Sequence, residues 1–248
     1  LERIGRLFEN KVHTTVLEVD LDRMIHNLNY FRSLLTGGER MMAMVKASGY
    51  GSGTFEVAHM LQQQGVDFLA VAFADEGVTL REAGITMPVV VLNADADSFE
   101  TMIDYRLEPE IYSLSSLRSF AEAVRRSGET HLPVHIKLDT GMHRLGFTGE
   151  QIEAAIAALK ETPEVYVRTI FTHLAGSDEA RHDDFTRRQI ALFRTWSDRI
   201  VAAFPDLRIL RHVENSAGIE RFPEARFDMV RLGVGLYGIG FDHPERLL

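Results

Sequence analysis

Apolar positions along the chain fall into two kinds of segment. Short continuous or alternating runs are separated by longer stretches with apolar residues three and four apart, the pattern of strands interleaved with amphipathic helices. The strand-like runs are 41–47 (MMAMVKA), 67–72 (DFLAVA), 88–93 (PVVVLN), 108–113 (EPEIYS), 133–139 (PVHIKLD), 167–174 (VRTIFTHL), 209–215 (ILRHVEN) and 229–235 (MVRLGVG), eight in all. Helical spacing occupies 54–64, 74–83, 97–105, 115–127, 149–161 and 183–203, with a shorter stretch near 216–221. Ahead of this series, residues 1–12 predict a helical lead-in or linker, and His13 to Leu21 alternates as a further strand without an evident partner. Asp22 then opens a helix through Leu35 that carries Met24, Ile25, Leu28 and Phe31, and Thr36-Gly37-Gly38 stops it. Strands alternating with helices in this way predict an α/β protein with a parallel (β/α)8 (TIM) barrel over residues 13–248. Chemistry in such a barrel gathers at the C-terminal ends of the strands.

Composition narrows the function classes. A chain of 248 residues with 45% hydrophobic content can bury a full core. Its net charge of -9, from 27 basic and 36 acidic residues, argues against a nucleic-acid or anionic-membrane surface while leaving room for a local basic pocket. No apolar run reaches the roughly 18 residues of a membrane span, and the N-terminus lacks a signal-peptide pattern. The absence of cysteine excludes disulfides, thiolate metal sites and cysteine nucleophiles, and fits a cytoplasmic, reducing compartment. Because the numbering starts at Leu1, the chain is expected to be a fragment or a processed product.

Candidate chemistry starts at Lys46. Met42, Met44 and Lys46 share one face of the first strand, and a lysine at the inward end of an apolar strand must be paired, neutralised or used covalently. Ser48, Gly49, Gly51, Ser52 and Gly53 follow and lead into a helix, a composition suited to holding an anion such as phosphate. A Schiff-base lysine beside a phosphate cradle suggests pyridoxal 5'-phosphate. The alternative is a barrel lysine paired with a carboxylate and followed by an ordinary glycine-rich turn. In the fifth strand His135, Lys137 and Asp139 alternate against Val134, Ile136 and Leu138, so an ionisable face must line the barrel interior. The sixth strand ends in His173, the seventh in Asn215 and Ser216, and the eighth carries Arg231 before Gly233 and Gly235. Taken singly, His173 could be a core histidine, Asn215 a helix N-cap and Arg231 a barrel ion pair. Together they fall on one rim of the inferred barrel.

These residues sit in motifs that resemble the fold type III pyridoxal-phosphate enzymes and, within them, the alanine racemases. MVKASGYGSG is similar to the family's cofactor-lysine motif, KLDTGMHRLGF to its substrate-arginine motif, and THLAGSD to its histidine motif. HVENSAG resembles its phosphate segment and FDMVRLGVGLYG its pyridine-arginine motif. The resemblance covers roughly residues 13–241 in the family's order. KVHTTVLEVDLDRMIHNLNYFRSLL and HLAGSDEARHDDFTRRQIALF look most like racemase halves fused to a muramoyl-tripeptide D-alanyl-D-alanine ligase.

The resemblance implies interconversion of L- and D-alanine for cell-wall peptidoglycan by a cytoplasmic homodimer. Lys46 would carry the cofactor and act as base on the D-alanine side. Tyr50, Ser216 and the backbone at Gly233 and Val234 would hold the phosphate, with Asn215 beside them. His173 would lie against the pyridine ring and Arg231 would meet its nitrogen. Arg144 would contact substrate or cofactor oxygens, oriented by a carbamylated Lys137, and an unmodified Lys137 paired with Asp139 is the alternative. Ser48-Gly49 and Ser52 depart from the Asn-Ala and histidine common in the family. A larger departure lies at Leu248, where the sequence stops before the β-rich domain that supplies a tyrosine base on the L side. This fragment is therefore expected to bind cofactor but to racemise poorly. Three other readings remain: a single-domain pyridoxal-phosphate carrier, a racemase or decarboxylase of the same fold for another amino acid, and a metal-dependent hydrolase built on His182, Asp183 and Asp184.

Overall fold

The computed structural model describes residues 15–248. Eight strands, β1 (Arg40–Met44), β2 (Phe68–Val71), β3 (Val89–Val91), β4 (Glu108–Ile111), β5 (Leu132–Lys137), β6 (Val165–Phe171), β7 (Leu210–His212) and β8 (Met229–Leu232), run in the sheet order 7-6-5-4-3-2-1-8. All seven ladders are parallel. Individual bonds close the seam between β7 and β8: the Asp228 N–H donates to the Arg211 carbonyl (2.9 Å) and the Arg231 N–H to that of Glu214 (3.1 Å). The result is a (β/α)8 barrel, as the alternation predicts.

Around it lie α1 (Leu21–Ser33), α2 (Thr54–Gln63), α3 (Ala74–Glu82), α4 (Phe99–Asp104), α5 (Leu114–Ser127), α6 (Ile152–Lys160), α7 (Asp183–Ala203) and α8 (Ser216–Arg221). Single 3-10 turns precede α4 and α6, so these helices begin later than periodicity suggests. None of the described helices is long and apolar enough to cross a membrane.

The expected strand at His13 to Leu21 does not form over residues 15–20. Its apolar residues Val16, Leu17 and Val19 are exposed, and no sheet edge takes up the backbone bonds that a strand requires. His13, Thr14 and the lead-in helix of 1–12 lie outside the described residues. Asp20, rather than Asp22, caps α1, its Oδ1 accepting from the N–H groups of Asp22 (3.0 Å) and Arg23 (3.2 Å).

Alternation along each strand separates two packing layers. Met41, Ala43 and Val45 join the large core between sheet and helices, whereas Met42 and Met44 turn inward with Phe68, Ala70, Val90, Leu210 and Met229. Above this apolar floor the strands β4 to β8 bury Glu108, Glu110, His135, Lys137, Thr169, His212 and Arg231. A bulge in β6 opposite Val134 and His135 adds Arg168, whose guanidinium lies over the Phe68 ring (4.8 Å) and pairs with Glu108 (2.5 Å).

Candidate active site

A cavity of about 610 Å³ opens at the C-terminal ends of the strands and is lined by ten of the residues named above, Lys46, Tyr50, Lys137, Arg144, His173, Asn215, Ser216, Arg231, Gly233 and Val234, but not by His135 or Asp139. Lys46 is not on the strand. β1 ends at Met44, and Ala47, Ser48, Gly49 and Tyr50 follow with φ of 52°, 54°, 60° and 54°. This is a turn of left-handed backbone, which costs roughly 1–2 kcal/mol for each L-residue. Glu76 of α3 stabilises it by accepting from the Ala47 N–H (2.5 Å) while its other oxygen takes the N–H groups of Ala72 (2.6 Å) and Phe73 (3.1 Å). The turn brings Lys46 Nζ to 5.8 Å from the centre of the Tyr50 ring. Tyr237 packs on Tyr50 with centroids 4.8 Å apart and donates its hydroxyl to the Met44 carbonyl (3.0 Å). Burial raises the pKa of the Tyr50 phenol, so that group stays protonated at neutral pH.

The glycine-rich loop largely stays out of the cavity lining. Of residues 48–53 only Tyr50 lines the cavity, because the loop's glycines go into the left-handed turn and the start of α2. Across the cavity, Ser216 Oγ accepts from the N–H groups of Gly233 (2.9 Å) and Gly235 (3.1 Å) and keeps its own proton to donate. A Cβ on Gly233 would stand 3.4 Å from Tyr50 Oη and 3.7 Å from Ser216 Oγ, filling the concavity between the two hydroxyls. Asn215 caps α8, accepting from the Gly218 N–H (2.9 Å) and the Ser177 hydroxyl (2.8 Å). Its side-chain NH2 donates to the Leu174 carbonyl (3.3 Å).

Arg231 is buried and well tied. Its Nη1 donates to His212 Nδ1 (2.7 Å) and the His212 carbonyl (3.3 Å), and its Nη2 to the carbonyls of Thr172 (2.7 Å) and Val213 (2.8 Å). No hydrogen bond engages its Nε–H among the described residues. Because arginine only donates, His212 Nδ1 must accept, which places the imidazole proton on Nε2, 3.1 Å from Thr169 Oγ1. Thr169 in turn meets His135 Nδ1 (2.8 Å), and His135 Nε2 meets Glu108 (2.8 Å). A directed chain therefore runs across the barrel from Arg231 to Glu108. Burial, then the nearby Arg231, holds the His212 imidazole well below its ordinary pKa, and burial lowers that of Arg231 only to about 10. His212 is thus neutral and Arg231 charged at pH 7.

Arg144 sits in the loop between Lys137 and Phe147, which the Phe147 N–H closes on the Lys137 carbonyl (2.9 Å) and the Asp139 N–H on that of Phe147 (2.9 Å). Asp139 holds this loop by accepting from the N–H groups of Gly141 and His143 (both 3.0 Å). Gly146, with φ of 134°, is required there, since a Cβ would meet Asp139 N at 2.5 Å. Asp139 is consequently not the partner of Lys137. That partner is Glu110, 3.6 Å from Nζ, a residue sequence reasoning missed. On its other side Lys137 lies 4.4 Å from the centre of the Phe171 ring. Burial drives the Lys137 ammonium down to about 8 against the opposing pull of Glu110. His173 is half-buried, and burial followed by the charges of Arg231, Lys137, Arg144 and Lys46 keeps it neutral. The cavity thus presents four cations and one carboxylate within a chain of net charge -9. Such a site suits a ligand bearing more than one negative charge. Asp183, offered above as a metal ligand, accepts from Arg221 (2.8 Å) at the start of α7.

Comparison with known proteins agrees with this geometry. Residues 19–240 match the family model for the alanine racemase N-terminal domain. The chain is 34% identical over 224 residues to alanine racemase 1 of Oceanobacillus iheyensis, covering 90% of this chain and 59% of that protein. It is 37% identical over 233 residues to the alanine racemase of Sorangium cellulosum, covering 91% and 60%. Among solved structures, the alanine racemase of Clostridium difficile 630 superposes with a TM-score of 0.87 at 33% identity, over 96% of this chain and 63% of that one. The Bartonella henselae alanine racemase with covalently bound pyridoxal phosphate gives 0.79 at 25% identity, over 92% and 65%. The chain spans about three-fifths of the length of these curated relatives. It belongs to the alanine racemase family and carries that family's N-terminal barrel domain.

Proposed function

We propose that this barrel binds pyridoxal 5'-phosphate and forms the cofactor domain of an enzyme that interconverts L- and D-alanine for peptidoglycan synthesis in the cytoplasm. The observation that carries the reading is the convergence of Lys46, Tyr50, Ser216 and Arg231 on one cation-rich cavity. These residues fit the cofactor. Lys46 supplies the amine for attachment, while Tyr50, Ser216 and the backbone at Gly233 and Val234 supply donors for a phosphate. Arg231 would meet the ring nitrogen, and the neutral His173 would lie against the ring. When bound, the cofactor supplies the electron sink that makes the α-proton of an amino acid acidic.

The chain's own groups divide the remaining work. Arg144 binds the substrate carboxylate, because a guanidinium matches two carboxylate oxygens. Lys46 takes the proton from the α-carbon on the D-alanine side and returns it there. Arg231 would donate a hydrogen bond to the ring nitrogen without protonating it, which would limit charge delocalisation and favour return of the proton over side reactions. The whole protein works as a homodimer on alanine, and neither nucleic acid nor membrane has a part in it.

Proton NMR in deuterium oxide, with cofactor present, tests this reading. Loss of the α-proton signal of alanine is expected, faster from D-alanine than from L-alanine. Cofactor binding without exchange from either enantiomer would leave the protein a carrier and overturn the enzyme assignment.

A further inference from the structure

Glu110 lies on β4 at the floor of the cavity, 1% exposed, and neither carboxylate oxygen has a hydrogen-bond partner among the described residues. A buried carboxylate in that state is strongly disfavoured unless a cation offsets it. Burial pushes the Glu110 carboxyl up, and Lys137, at 3.6 Å its one ion-pair partner among the described residues, opposes that rise, followed by Arg144 and Arg231 from farther away. Arg144, by contrast, has no carboxylate within 4.0 Å among those residues, is exposed and lines the cavity.

We propose that Glu110 is a positioning residue of the substrate-carboxylate site, holding Lys137 as an unmodified ammonium and thereby leaving the Arg144 guanidinium uncommitted. The role of Arg144 rests on the function proposed above. The pairing of Glu110 with Lys137 rests on geometry alone, and it takes the place of the carbamate expected at Lys137. Carbamylation would proceed by loss of one proton from the Lys137 ammonium and attack of the neutral amine on carbon dioxide, forming an N–C bond as one C=O π bond opens onto oxygen, with a second proton lost from the nitrogen, so that a cation becomes an anion. Here the new anion would stand at ion-pair distance from a second buried carboxylate, and Glu110 would lose the cation that offsets it. With the ammonium in place, the Glu110 charge is answered locally. Lys137 then also discourages Arg144, a like charge, from folding back onto Glu110. The guanidinium is left to a ligand carboxylate.

Carbon-13 NMR of the full chain equilibrated with labelled bicarbonate at pH 8 tests the assignment. The unsubstituted protein should show no carbamate carbon. Glu110→Gln keeps the side-chain shape, removes the charge and frees the Lys137 amine, so a carbamate resonance should emerge and vanish again when Lys137→Arg is added. A carbamate in the unsubstituted protein that Lys137→Arg abolishes would overturn the proposal. So would a folded Glu110→Gln variant that gains none. Should that variant fail to fold, the spectrum of the unsubstituted protein decides by itself. Alanine exchange is not read in this experiment, so its outcome is separable from that of the racemase reading.

Discussion

The inner walls of β1–β3 and of β4–β8 hang from the same parallel ladder and bury opposite kinds of side chain. The first is apolar, with Met42, Met44, Phe68, Ala70 and Val90. The second carries Leu210 and Met229 at its base and above them buries Glu108, Glu110, His135, Lys137, Thr169, His212 and Arg231. Since the ladder satisfies the backbone on both sides, the difference lies in the side chains alone. On the polar side most groups are linked in series: Arg231 donates to His212, and contacts continue through Thr169 and His135 to Glu108. A series of this kind is stable only when complete. The apolar wall needs volume, and the polar wall needs every member present.

Substitutions on the two walls should therefore differ in kind. Arg231→Met on the polar wall strips four donor contacts from His212, Thr172 and Val213. Breaking a buried charged network costs about 3–5 kcal/mol, and cofactor affinity should fall with it. Met42→Ala on the apolar wall should cost about 2–5 kcal/mol through the cavity it leaves, with cofactor affinity retained in the folded fraction. Urea unfolding together with a cofactor titration measures both. Equal loss of affinity in the two variants would erase the distinction.

The next effect depends on pH. Glu214 follows β7, is fully buried, and has both carboxylate oxygens unpartnered among the described residues. Burial raises its pKa to about 8 from an ordinary 4.5, opposed by Arg226 and Arg231. Between those values the folded chain holds a proton that the unfolded chain has lost. Its contribution to stability is therefore complete below the lower value and declines as pH rises toward the upper one. Glu214→Gln removes the titration, so its stability relative to the unsubstituted protein should improve from pH 5 to pH 8. Parallel stability profiles for the two proteins would show that Glu214 carries no such penalty.

Much of the architecture was legible because strand and helix periods are local properties. The eight strands and the rim that collects Lys46, Lys137, His173, Asn215 and Arg231 follow from alternation and from where each run ends. Less visible was the backbone of Lys46. The left-handed turn at Ala47, Ser48 and Gly49 depends on Glu76, a long-range contact with no local signature. That turn also occupies the glycines that composition assigned to an anion. Glu110 could have been found. Glu108 and Glu110 alternate with Pro109 and Ile111 just as His135 and Lys137 alternate with their apolar neighbours, and the pairing of Glu110 with His135 sets the two ionisable faces side by side. Asp139 was the nearer acid in sequence, but its carboxylate is taken by its own loop.

The cavity at the C-terminal rim should receive pyridoxal 5'-phosphate on Lys46, which follows β1, with the polar wall of β4–β8 facing it. Incubation with the cofactor, borohydride reduction and peptide mapping by mass spectrometry test it directly. The account predicts one stable adduct, on the peptide containing Lys46, and none in Lys46→Ala. An adduct on Lys137 or Lys160 with Lys46 unmodified would contradict it.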